Sequence, residues 1–249
     1  MRIKTAMNYH LSDAKRSLII FYGVVYVIAI GFWVLSKVFS QADFNYGGME
    51  SASMIFLFVA GLNSFKGPFR MFLQNGISRK TQFAGYAASL AILAVGMAIV
   101  DNLSDLLFAR TSMFFEMYGM RYVSSPIYLI TYQAGTVQSF AEGLLWTIVQ
   151  YFLLGMVGFL ISTLYYRMNK ALKLLVSIGL PVLLFILLPI VDTNFTHGVI
   201  YDSLFRFIGF CMGYLNGFNP YYAVVSGIVL SLLLAGLSYL AIRRATVKE

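Results

Sequence analysis

FAEGLLWTIVQYFLLGMVGFLISTLYY, Phe140–Tyr166, carries one residue of the Asp, Glu, Lys and Arg set, Glu142, near its start. As a helix it is about 40 Å long at ~1.5 Å per residue, enough to cross a hydrocarbon core roughly 30 Å thick. Working outward, the sequence offers five more stretches of the same kind. They are Leu18–Phe39, Met49–Phe65, Phe83–Phe108, Leu174–Val191 and Tyr221–Ile242. The chain is therefore expected to be all-α, one polytopic membrane domain over residues 1–249 with six transmembrane helices. Its composition agrees: 59% hydrophobic, 11% charged, mean hydropathy +0.77, a balance foreign to soluble domains.

Charge sets the orientation. With the N-terminus in the cytoplasm, only Lys37, Arg110, Arg121 and Arg206 of the 18 Lys and Arg residues lie outside. The positive-inside rule then places both termini in the cytoplasm of a multi-pass cell-membrane protein. The acids run the other way, with only Asp13 and Glu249 inside. The net charge of +8 belongs to short loops beside anionic lipid, not to a nucleic-acid surface. One cysteine, Cys211, excludes an internal disulfide, and His10 and His197 alone do not make a zinc site. The first span follows basic residues as a signal peptide would, and Ser40-Gln41-Ala42 loosely fits a cleavage site. Its apolar stretch exceeds the usual 7–15 residues or so, so it is read as a retained span.

Residues 1–17 are amphipathic. Ile3, Met7, Leu11, Ala14 and Leu18 share one helical face, and Lys4, Asn8, Lys15 and Arg16 fall mostly elsewhere. The pattern predicts a basic interfacial helix lying in the membrane plane. A second amphipathic helix is predicted over residues 66–76. Phe65, Phe69, Phe72 and Leu73 form its apolar face, and Lys66, Arg70 and Gln74 its polar one. Pro68 suits the first turn, Gly76 the C-terminal stop, and Ser78 the N-cap of the next helix.

Asp101 and Asp105 close the third span, and Glu142 enters the fourth at the same level. These acids are expected to be solvated or salt-bridged near the outer boundary, or to form an acidic mouth for a cationic substrate. The centres of the spans then hold no ionisable group. The outer loop Ala109–Ser139 is dense in methionine and tyrosine, which reads as an interfacial belt, a packed cap or an apolar substrate surface. Asn194-Phe195-Thr196 matches a glycosylation sequon by chance. Pro181 and Pro189 predict kinks in the fifth span. Residues 203–218 are too apolar for a solvated loop and too short to cross and return. With Gly209, Gly213 and Gly217 at four-residue spacing and Arg206 four residues after Asp202, they predict a re-entrant or interfacial hairpin. Ala223, Gly227, Ser231 and Ala235 form a small-residue seam on the last span, for a helix of the same chain or of a second copy.

No GxxxxGK[ST], HExxH or GxSxG occurs. The chain has no nucleotide site of its own and is not expected to be an enzyme by itself.

The order of elements, with Gln74-Asn75-Gly76-Ile77-Ser78-Arg79-Lys80-Thr81 and Asn219-Pro220, resembles the membrane subunit of ABC-2 type ATP-binding-cassette transporters of Gram-positive bacteria. The resemblance covers essentially the whole chain. It implies pairing with a second copy or a related permease, and a cytosolic ABC ATPase subunit that holds ATP and Mg; no cofactor is expected in this chain. Phe65, Lys66, Phe69, Arg70, Phe72, Leu73 and Gln74 would be the coupling helix on that ATPase. The outer gate or substrate path would involve Asp101, Asp105, Glu142, Arg206, Gly209, Gly213 and Gly217. The expected function is export of an amphipathic substrate: an antimicrobial or toxic peptide, a drug or a lipid. The chain lacks the large extracellular domain of peptide-sensing subfamilies. The alternatives are a non-transporting anchor or sensor partner, and an ion-driven secondary carrier, which the absence of mid-span ionisable groups disfavours.

Overall fold

Long unbroken apolar helices dominate the computed structural model, which describes residues 2–38, 49–114, 137–217 and 219–245. Among the described residues there is no strand. The helices are α1 (Arg2–Val38), α2 (Met49–Asn63), α3 (Lys66–Gln74), α4 (Arg79–Phe114), α5 (Val137–Arg167), α6 (Lys170–Asn194), α7 (Val199–Cys211) and α8 (Pro220–Arg243). Five of them, α1, α4, α5, α6 and α8, are long and apolar enough to cross a membrane. α2 has 15 residues, so the second span reaches crossing length only when α2 and α3 are taken as one pair bent by 42°. The chain is thus a membrane-embedded helical protein with five clear spans where six were expected. The methionine- and tyrosine-rich outer loop lies largely outside the described residues.

The expected separation of an in-plane helix (1–17) from the first span (18–39) is absent. α1 runs through, because neither Gly nor Pro occurs before Gly23 and its first half has packing partners. Ala6 is fully buried against Gly85 of α4, where a Cβ would meet that of Ala6 at 2.6 Å. An offset of 79 residues separates both Ala6 from Gly85 and Tyr22 from Asp101. The two helices therefore lie parallel and in constant register.

α5 is the hub, packed on α2, α8 and α4. Glycines set the α2–α5 crossing. A Cβ on Gly61 would lie 2.4 Å from the Gly155 carbonyl oxygen, and one on Gly158 would lie 2.2 Å from that of Phe58. In lipid, where apolar burial between spans brings little, such backbone approach is a main source of helix association. Around it Leu57, Leu90, Met97, Met156 and Phe159 form the core, with Tyr86 stacked on Phe159 at 3.8 Å.

The seam of α8 is used inside the chain. Ala223, Gly227 and Ser231 are buried and Ala235 half-buried. A Cβ on Gly227 would meet Val149 of α5 at 2.6 Å. This arrangement leaves no seam there for a second copy. Gly227→Leu is expected to lower the thermal midpoint in mild detergent by several degrees with no change in oligomer mass, as light scattering would report.

α6 keeps its helical course through both prolines. Two π-helical turns, Leu175–Gly179 and Leu183–Leu187, each precede a proline by two residues. The extra residue in each turn relieves the clash between the ring and the carbonyl four residues back. The apolar window of α6 is buried against nothing in the described chain.

Candidate functional site

α3 sits beneath one end of the bundle. α2 stops at Asn63, and the Ser64 hydroxyl donates to the Ala60 carbonyl. At the far end Gly76 adopts φ +67°, Gly76 N–H donates to Leu73 and Ile77 N–H to Phe72, the paired bonds of a glycine-terminated helix. Ser78 then caps α4 by accepting from Thr81 N–H at 3.3 Å.

Three phenylalanines hold α3 in place. Phe65 stacks on Phe69 at 4.8 Å, and both meet the ring of Tyr166 edge-on, at 5.3 and 5.6 Å. Phe72 meets Tyr9 and His10 of α1 at 5.3 and 5.6 Å. Leu73 is half-buried beside them. Lys66 and Gln74 are exposed and Arg70 half-buried, so the predicted apolar and polar faces of this helix are separated in space. Tyr9 and His10 are the partners that sequence reading missed. The Tyr9-His10 pair beside the apolar stripe of residues 3–18 was the available signal.

Deeper in the bundle, four helices converge on a polar layer. Glu50, Asp101, Asn102 and Thr147 are each 0% exposed. Asp101 accepts from the Tyr22 hydroxyl at 2.9 Å and, on its other oxygen, from the Tyr151 hydroxyl. Thr147 reaches Glu50 at 3.2 Å, and Tyr26 and Ser104 share a bond of 2.6 Å. Asp101 has no ion pair among the described residues. Hydroxyls carry the hydrogen bonding instead, as burying such a group requires.

This corrects one expectation: Asp101 is neither solvated nor salt-bridged among the described residues. The packing of α2 on α5 encloses Glu50, and α1 supplies Tyr22 to Asp101. Each helix contributes polar residues three or four apart: Tyr22 and Tyr26, Glu50 and Ser53, Asp101 and Ser104, Thr147 and Tyr151. That spacing was the signal in the sequence.

The remaining residues assigned to an outer path do not assemble with Asp101. Glu142 accepts from Gln138 at 3.0 Å and from the Tyr221 hydroxyl at 2.7 Å. Arg206 pairs with Asp202 at 3.0 Å on exposed α7. The four-residue glycine spacing is not one helical stripe. Gly209 lies in α7, whereas Gly213 and Gly217 adopt φ of +76° and +70° in the turns that follow it. The side chain of Asp105 lies outside the described residues.

Asp192 organises the turn into α7. Its carboxylate accepts from the Thr196 hydroxyl and from the N–H groups of Ile200 and Tyr201. This is the capping of a helix start by an anion.

Fold and site together define a polytopic helical membrane protein with a bundle-seated amphipathic helix and a buried hydroxyl–carboxylate layer. Comparisons with protein-family models, with curated proteins and with solved structures found no match.

Proposed function

We propose that this chain is the membrane subunit of an ATP-driven exporter, with α3 as the helix on which a separate cytosolic ATPase acts. The observation that carries this reading is the two-faced seat of α3. Phe65, Phe69 and Phe72 fix it to the bundle, while Lys66 and Gln74 face outward with Arg70 half-exposed beside them. A force applied to that outer face passes through aromatic contacts to α1 and α5, not through a loose loop. The basic residues support a cytoplasmic position for this end, since the Arg79 guanidinium donates to the Arg243 carbonyl there. ATP and Mg belong to the partner. Two such chains, or this one and a related permease, would flank the path of an amphipathic substrate, with α7 and its following turns as the outer re-entrant gate.

The test is capture. The chain purified from its native membrane in mild detergent is expected to bring a nucleotide-binding-cassette ATPase in stoichiometric amount. The double variant Lys66→Glu/Arg70→Glu is expected to lose at least nine-tenths of that ATPase while the chain stays folded. Undiminished capture by the variant would sink the role given to α3.

A second reading is favoured by the polar layer. Two enclosed carboxylates bonded to hydroxyls suit a carrier driven by protons or a monovalent cation. On this reading α3 is a structural connector, and purification brings no ATPase.

A further inference from the structure

Between α1, α2 and α4, at the α3 end of the bundle, lies a cavity of about 180 Å³. We propose that it binds a primary ammonium group carried on a short apolar stem, such as an arylalkylammonium.

The argument rests on which hydrogen-bonding atoms the cavity has left. Ser64 donates its hydroxyl to Ala60, Ser89 to Tyr86, and Asn63 its amide to Val59. The two serines have spent their single donors within their own helices, so each can offer the space only an acceptor oxygen; Asn63 has one amide hydrogen left beside its acceptor oxygen. Asp13 adds a carboxylate with no ion pair among the described residues. It is one of only two acids that sequence reading placed at this basic end. His10 is 8% exposed and lines the same cavity. The rings of Tyr9, Phe72 and Tyr86 surround it.

An acceptor-rich lining with a free carboxylate selects a donor-rich cation. An alkylammonium has three donors and no acceptor. The floor, Phe56, Leu57, Leu90 and Leu93, is apolar. The volume fits one ring or a short chain, since a cavity of about 150 Å³ holds benzene. The same chemistry is carried by a free amine, by a lysine side chain of a peptide and by an aminophospholipid headgroup.

The cavity borders the α2–α3 bend, and its His10 touches Phe72 of α3. On the reading of α3 as the driven helix, occupation would therefore be sensed where the ATPase acts. That consequence rests on the proposed function; the binding does not.

The test uses the full chain in phosphatidylcholine nanodiscs without any ATPase. The probe is 2-(4-fluorophenyl)ethylammonium, followed by fluorine NMR against empty discs. Saturable binding is expected, at least tenfold weaker in Asp13→Asn and in Ala14→Leu, which fills the space from α1 without changing charge. The anion 4-fluorophenylacetate is expected not to bind. Competition by phosphatidylethanolamine in the disc would assign the site to a lipid headgroup. Binding indifferent to that lipid would assign it to a soluble amine or peptide. No saturable binding, equal binding of the anion, or binding unchanged in both variants would overturn the site. Since no ATPase is present, that failure leaves the capture experiment standing, and the reverse also holds.

Discussion

Gly158→Leu is expected to leave almost no folded protein, the largest stability effect of any single substitution in the bundle. A Cβ at that position would lie 2.2 Å from the Phe58 carbonyl oxygen and 3.0 Å from the Leu62 nitrogen. Both are backbone atoms of α2 and cannot rotate aside. Relief requires moving α2 away from α5, which also opens the Gly61–Gly155 contact one turn along. Overpacking a core costs about 1–3 kcal/mol when side chains can adjust, and here they cannot. The smaller change Gly158→Ala meets the same atoms and should still lower the thermal midpoint strongly. Gly155→Ala should be milder, because its nearest neighbour is the flexible end of Leu90 at 2.4 Å. Gly96 is the control. It is exposed on α4 with nothing within 4 Å of its Cβ position. Gly96→Leu is expected to keep or slightly raise the midpoint, since glycine inside a helix costs about 1 kcal/mol. Size-exclusion profiles and thermal scans in one detergent check the series. A Gly158→Leu variant that elutes and melts like the parent would show that α2 and α5 do not cross here.

What sequence made legible follows from the scale on which each feature is decided. The spans, the amphipathic faces of α3, the Gly76 stop and the Ser78 cap are local. Hydropathy and two or three neighbouring residues determine them: the structure has five spans of crossing length, and the α3 faces, the Gly76 stop and the Ser78 cap fall on the residues that periodicity named. The run of α1 through residue 17 was not legible, because an amphipathic stripe looks the same whether it meets lipid or another helix. Only the register of α1 on α4 distinguishes the two, and register is a tertiary property. The reading of Asp101 depended on depth counted along one helix. That count put Asp101 near the outer boundary, and it held no information on Tyr22 or Tyr151, which reach it from other helices. Glu50 was passed over for the same reason. It lies at the first turn of α2, where sequence alone suggests water, and becomes buried through the packing of α2 on α5. The α8 seam was legible as a close-packing surface, but its partner was not, since a small-residue stripe does not say which helix approaches it.

Asp101 is where stability and function can be separated. Asp101→Leu removes the acceptor for two tyrosine hydroxyls inside the bundle. Interhelical bonds of this kind are worth about 0.6 kcal/mol on average and up to about 1.7, so the loss should be about 1–3 kcal/mol, visible as a clear drop in thermal midpoint. Asp101→Asn keeps the size and one carbonyl acceptor, and its amide can donate to the second tyrosine oxygen, so it should melt close to the parent. Tyr22→Phe leaves one bond to Tyr151 and should fall between the two. This order tests the network itself: an Asp101→Leu variant as stable as the parent would mean that the hydroxyls find water or other partners. The Asn variant then separates the two functional readings, because it is folded and yet has no carboxylate at position 101 to carry a proton or hold a cation. In cells made resistant to an amphipathic toxic compound by this chain, ATP-driven export predicts that Asp101→Asn keeps most of the resistance and Lys66→Glu/Arg70→Glu loses it. A carrier driven by an ion gradient predicts the opposite pair. Both outcomes rest on folded protein, so neither can be mistaken for a failure of the bundle to assemble.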